Sequence, residues 1–387
     1  MKITILGWYG TETIGDRGTF AGTLSILFKN LKIDQIFLGS LFPFFTEKTI
    51  FEDHPFWANL IGSEPNIKIF NSKKSKELES HITQSDMVVI GGGPLMHIES
   101  MYMLAYAFKF AKRKGIKNII FGSGVGPFFT KRHKELLTVL FQFSDRIILR
   151  DSTSLINAKD IFREMGKVFE EDKILVSLDP AIGPCLHFKK KKSEELPKLH
   201  SNEITASISL RNFPKEYLKE NSDLDKIKNR LEEFYKKLNL SFGRVRFIPM
   251  HYFTIGGDDR KYLNKLYFEY PSENSYVQNV PLSLEETMDE FYSADICFGM
   301  RYHSIIFQTI LNGKNFVIDY TEPKKGKTSN FVKDIEFPKE RYVNIQEEDI
   351  PNSFLNLEQK PFVPDQQMIE EKLKIYDKTI FDLYKGN

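Results

Sequence analysis

The chain reads as an α/β protein built on parallel sheets. Three observations lead there. Short apolar runs end in glycine or a polar loop, helix-patterned segments lie between them, and the alternation resumes beyond a charged, aperiodic stretch at 189–203. In order, Lys2–Leu6 is a strand, 17–31 a helix, 35–38 a strand, and 87–90 a strand closed by three glycines. Residues 98–114 have helical spacing and stop at Gly115, and 118–121 and 146–149 are further strands. In the second half, 204–210 is a strand, 224–238 a helix, 245–248 a strand and 284–292 a helix. Then come a strand at 295–298, a helix at 304–311, a strand at 316–318 and a final helical pattern at 366–384. The economical architecture is two Rossmann-like domains facing a cleft, with ligands at the C-terminal ends of the strands. The divisions are 1–188, a linker at 189–203, a second domain at 204–360, and a C-terminal helix at 361–387 placed to pack back on the first domain.

The bulk numbers narrow the function. At 387 residues there is room for two separate cores. A net charge of +2 sets up no global field for nucleic acid, so none is expected as a partner. The four lysines 189 to 192 read as a solvated linker, and the 34 phenylalanines as aromatic-rich cores. Cys185 and Cys297 are far apart and show no metal spacing, which suits a reducing compartment. The opening apolar run is too short for a signal peptide, and no run approaches the length of a spanning helix. The expected location is the cytoplasm, with peripheral work at the inner face of the membrane left open.

The densest chemistry is Arg301-Tyr302-His303. It follows an apolar strand and Gly299 and precedes a buried helix. Such a junction combines cationic side chains with free N–H donors at a helix N-terminus, and so favours an anion. Arginine supplies a bidentate fork, and histidine a group that titrates near neutral pH. Arg211 ends another strand and suits the same purpose. Lys324, Lys325 and Lys327, on the loop after the last strand, could neutralise phosphate. His251 ends the strand at 245–248. Asp258 and Asp259 follow a Gly-Gly turn, where helix capping competes with ribose binding; too few neighbours exist to argue a metal.

In the first half, Gly7 to Gly18 follows the first strand and opens a helix. Gly10, Thr13 and Asp16 are its candidate contacts, with capping as the alternative for Asp16. Gly92 and Gly93 follow one strand and Gly124 the next. Adjacent glycine loops suggest a floor where a substrate meets bare backbone. Arg150-Asp151 reads as a structural pair and a helix cap.

Taken together these residues resemble the polysaccharide pyruvyl transferase family. The similarity rests on Gly10 to Asp16, the two glycine loops, Arg211, the Arg301-x-His303 pair and the Tyr320 to Lys327 loop, in the family's order from Met1 to about residue 330. Many relatives carry Asn where Thr13 stands here. The resemblance implies a GT-B-like fold and no cofactor, with phosphoenolpyruvate as co-substrate. It also implies a sugar acceptor (nucleotide-linked, lipid-linked or polymeric) and a pyruvate ketal as product. Arg211, Arg301 and His303 would bind phosphoenolpyruvate. The expected roles are proton transfer for His303, phosphate neutralisation for Lys327, and base or orienter of the acceptor hydroxyl for Asp16. A GT-B glycosyltransferase with a nucleotide-sugar donor is the main rival, and a binding protein that senses a phosphorylated metabolite the second.

Overall fold

The computed structural model describes residues 1–11, 13–91, 93, 95–195, 203–218, 222–253, 255–323 and 326–384. The first sheet holds β1 (Lys2–Leu6), β2 (Gln35–Ser40), β3 (Ile67–Asn71), β4 (Met87–Gly91), β5 (Lys117–Ser123), β6 (Arg146–Leu149) and β7 (Ile174–Val176). Their order is β3-β2-β1-β4-β5-β6-β7, all parallel. The second holds β8 (Thr205–Ser209), β9 (Arg244–Phe247), β10 (Ser275–Val277), β11 (Ile296–Gly299), β12 (Asn315–Asp319) and β13 (Tyr342–Asn344). Its order is β10-β9-β8-β11-β12-β13, again all parallel. Both orders run outward from a central pair and so reverse once, at β1/β4 and at β8/β11. That reversal defines the Rossmann crevice.

Helices connect the strands. They are α1 (Ile14–Asn30), α2 (Pro43–Ile61), α3 (Ser75–Thr83), α4 (Ser100–Arg113), α5 (Lys131–Phe143), α6 (Ser152–Glu164) and α7 (Ile182–Glu194), then α8 (Leu224–Ser241), α9 (Asp259–Glu269), α10 (Leu284–Tyr292), α11 (Tyr302–Leu311), α12 (Lys327–Asp334) and α13 (Gln366–Tyr384). Capping fixes many of the starts. Asp151 accepts from Ser154 N to open α6, and Ser283 and Glu286 form a reciprocal capping box on α10. Among the described residues no helix is long and apolar enough to cross a membrane.

The chain divides into two compact units. One is Met1–Glu12, Asp16–Pro184 and Gln366–Asn387; the other is Thr13–Gly15 and Cys185–Asp365. Each has its own apolar core, with Val88, Ile90, Phe108, Ile120 and Leu137 in the first and Ile208, Phe234, Phe298, Phe316 and Ile318 in the second. The phenylalanines fill these cores: Phe298 stacks on Phe316 at 5.5 Å, and Phe247 on Tyr235 at 4.7 Å. In the first unit Tyr376 of α13 is fully buried, packs on Phe121 and donates to the Leu178 carbonyl at 2.7 Å.

The lysine run departs from expectation. Residues 189–194 belong to α7, not to an irregular linker. Lys189 donates to the Ile310 carbonyl at 2.7 Å, Lys191 pairs with Glu285, and Lys192 pairs with Asp289 at 3.1 Å. These ammonium groups satisfy a helix C-terminus and two carboxylates of their own unit. Residues 196–202, the rest of the expected linker up to Glu203, lie outside the described residues.

Candidate active site

In the second unit the C-terminal ends of four neighbouring strands carry the polar chemistry. His251 follows β9, Arg211 follows β8, Arg301 follows β11 and Tyr320 follows β12. Arg211 and Arg301 therefore flank the point where strand order reverses. Arg301 is the N-cap residue of α11, and Tyr302 and His303 form its first turn, two residues earlier than the sequence pattern suggests.

Arg301 is held by Asp259. Its Nη2 donates to Oδ1 at 2.6 Å and its Nε to Oδ2 at 3.1 Å, and Nη2 also reaches the Gly257 carbonyl. Asp259 is 2% exposed and accepts from the backbone N–H groups of Met250 and His251 as well. A buried carboxylate needs that many donors, and here it orients the guanidinium. Asp258 caps α9 by accepting from Arg260 N, so capping accounts for it.

Arg211 is half-buried and has no carboxylate partner among the described residues. It donates to the Tyr320 hydroxyl at 3.2 Å, and its guanidinium lies over the Tyr320 ring at 5.0 Å. Tyr217 meets the same ring edge-on at 5.5 Å. Lys327 starts α12 and places its ammonium 5.9 Å from the Tyr302 ring centre. Burial by itself would push the Tyr320 phenol up. Lys327, Arg211 and Arg301 together outweigh it and bring its pKa down to about 8. Arg211 touches the phenol directly, and the other two cations act on it through their charge.

His251 and Thr13 form a second linkage in this unit. The Ile255 carbonyl can only accept, so His251 Nε2 carries the proton and donates to it at 2.5 Å. Nδ1 then accepts from the Thr13 hydroxyl at 2.6 Å. Burial, and next the charge of Arg301, push this imidazole down to about 4, so it is neutral at pH 7. The neighbouring glycine matters for close approach. A Cβ at Gly15 would sit 2.0 Å from His303 Nδ1, so the backbone there is packed directly against the imidazole.

In the first unit, Asp16 lies in the first turn of α1 and is 6% exposed. Gly93 has φ +75°, and a Cβ there would lie 3.5 Å from Asp16 Oδ1. The loops after β1 and β4 thus meet at the reversal of this sheet. Gly10 and Gly124 close on the protein's own atoms. A Cβ on Gly10 would meet Ser40 Oγ at 2.5 Å, and one on Gly124 the Arg150 guanidinium at 2.8 Å. Arg150 is itself paired with Asp179 at 3.1 Å, which accounts for it structurally. Gly92 lies outside the described residues, as do Lys324 and Lys325. The residues that sequence reasoning did not assign are Asp259 as the anchor of Arg301, and Tyr217 and Tyr320. The position of Tyr320 directly after a buried strand was the available signal.

Comparison with known proteins bears on both fold and family. No curated protein matches the chain. Among solved structures it is similar to the Methanocaldococcus jannaschii UDP-GlcNAc 2-epimerase (TM-score 0.57, 13% identity, 97% of this chain and 99% of that one). It is also similar to the N-terminal domain of Candida albicans trehalose-6-phosphate phosphatase (0.53, 12%, 98% and 93%) and to an α,α-trehalose-phosphate synthase from Burkholderia vietnamiensis (0.52, 9%, 100% and 96%). At such identities the likeness establishes the fold alone, that of two Rossmann-like units of GT-B type. The model of one family, polysaccharide pyruvyl transferase, matches residues 23–322, a stretch that contains Arg211, Arg301 and His303 but not Asp16 or Lys327. Because that match spans well over half of the chain, the protein belongs to the polysaccharide pyruvyl transferase family.

Proposed function

We propose that this enzyme transfers the pyruvate group of phosphoenolpyruvate to two hydroxyls of a sugar in a cell-surface polysaccharide or its precursor, forming a ketal and releasing phosphate. The observation that carries the reading is that Arg211, Arg301 and Tyr320 follow three neighbouring strands of the second unit, with His303 in the first turn of α11 and Lys327 opening α12. A small ligand bearing both a carboxylate and a phosphate needs several cations at one place, and an acid beside them.

His303 protonates the methylene carbon, which gives the neighbouring carbon oxocarbenium character. A sugar hydroxyl attacks that carbon and gives its proton to a base, the role expected of an aspartate such as Asp16. The C–O bond to phosphate breaks, the second hydroxyl closes the ketal, and its proton leaves with the phosphate. Overall, one hydroxyl proton replaces the one given to the methyl group and the other ends on phosphate. Lys327 and Arg211 carry the charge of the leaving group and the carboxylate. Thr13 contributes by fixing His251. A nucleotide-linked, lipid-linked or polymeric sugar would serve as acceptor, and the cytoplasm is the expected compartment.

The test is incubation with labelled phosphoenolpyruvate and a panel of sugar acceptors. Inorganic phosphate and a labelled, acid-labile product are expected. Release of a nucleoside diphosphate from a nucleotide sugar would instead support a glycosyltransferase, a reading with which the shared fold is compatible while the family match favours the first. His303→Ala should lower kcat by about 10²–10⁴ while the circular dichroism spectrum is unchanged. Wild-type turnover in that variant would remove His303 from the mechanism.

A further inference from the structure

Tyr320 has no part in the steps above, yet it occupies the centre of the cationic cluster. It is 1% exposed and follows β12 directly. Its oxygen accepts from Arg211 Nη1 at 3.2 Å, the same guanidinium covers its ring, and Tyr217 packs edge-on against it. Among the described residues this hydroxyl is the one side-chain group that Arg211 binds; its other contact is the backbone carbonyl of Asn212. A guanidinium without a carboxylate partner has no electrostatic anchor, and a neutral hydroxyl fixes its direction without cancelling its charge.

We propose that Tyr320 is a positioning residue for the anionic donor: it seats the Arg211 guanidinium, and its proton decides whether the full positive charge of the cluster is available to the substrate. The inference rests on the proposed use of phosphoenolpyruvate. A phenol can hold Arg211 in two states. As the neutral hydroxyl it leaves the charge of Arg211 uncancelled. As phenolate it forms an ion pair with Arg211 and removes one unit of charge. The groups that face it are Arg211 beyond β8, Tyr217, Arg301 at the start of α11 and Lys327 at the start of α12. Burial, and then Tyr320 itself, push Tyr217 up, so Tyr217 keeps its proton throughout. The cations favour loss of the Tyr320 proton near pH 8, and a bound anion opposes that loss. By linkage, donor binding above that pH requires proton uptake, so affinity falls as pH rises, by up to about tenfold per unit.

The experiment measures KM and kcat for phosphoenolpyruvate from pH 6 to about pH 10 in wild type and Tyr320→Phe, alongside tyrosinate absorbance titrations with and without phosphoenolpyruvate. In wild type KM should rise on the alkaline side, and the early-ionising tyrosine should shift upward when phosphoenolpyruvate binds. In Tyr320→Phe the early-ionising tyrosine should be missing. Its KM at neutral pH should be about three- to tenfold higher, from loss of one hydrogen bond, with kcat changed far less. Its alkaline rise in KM should vanish, so that the two curves approach or cross. A wild-type KM that stays flat through pH 8 to 10, or a variant with unchanged KM and the same alkaline limb, would overturn the role of Tyr320 while leaving the transferase reading in place. No phosphate release from phosphoenolpyruvate in wild type, with any acceptor, would defeat the reading and this inference together.

Discussion

At the scale of single residues the site is built by close contacts that admit little substitution. The backbone of Gly15 lies against His303, where a Cβ would overlap Nδ1. Gly15→Ala should therefore displace the imidazole and lower kcat by at least about tenfold, since small misplacements of a catalytic group cost that much or more. A kinetic comparison checks this, and unchanged kcat would show that His303 tolerates the shift. Residue roles were only partly legible. Arg211, Arg301 and His303 stood out because cations at strand ends are few and chemically pointed. Asp259 was visible but could not be assigned, because its partner lies 42 positions away and only the fold brings them together. Thr13 reads as a ligand contact, and its hydroxyl is hydrogen-bonded to His251, a pairing across 238 positions that no local pattern encodes.

At the scale of elements the central strands were readable and the edges were not. β4, buried along its whole length, has an uninterrupted apolar run, and β1 nearly so. β7, β10 and β13 have three residues each, too few for a period to register, and β3 mixes Lys68 into a half-exposed run. The charged end of α7 reads as linker because its lysines hide a helix whose partners come from α10 and α11. The C-terminal helix, by contrast, was legible from its spacing. It belongs to the first unit, where Ile369, Tyr376 and Ile380 are buried. Tyr376→Ala removes a fully buried ring and should destabilise that unit by about 3–5 kcal/mol, the cost typical of large aromatic truncations in a core. Denaturant unfolding followed by tyrosine fluorescence and circular dichroism checks it. A loss under about 1 kcal/mol would mean that the helix contributes little to that core.

At the scale of the whole molecule, two parallel sheets with the same strand logic stand on two separate cores, a pattern the alternation of segments announced on both sides of residue 200. Because the cations proposed to hold the donor belong to the second unit alone, ligand stabilisation should be local. Calorimetry should show phosphoenolpyruvate at about 100 times its Kd stabilising the second unit by about 2.7 kcal/mol, and raising one of two unfolding transitions. An equal shift of both transitions would indicate that the units unfold as one. What remained hidden in the sequence at this scale was the assignment of Thr13–Gly15 to the second unit. That assignment depends on the hydrogen bonds from Ile14 to Met250 and from Thr13 to His251, which are tertiary facts.

The grip of Asp259 on Arg301 has a geometric outcome. The carboxylate occupies Nε and Nη2, and the Gly257 carbonyl takes Nη2 again, so Nη1 is the corner without a protein partner among the described residues. An anion arriving on that side meets the two N–H bonds of a single nitrogen, one corner of the guanidinium and not its two-pronged fork.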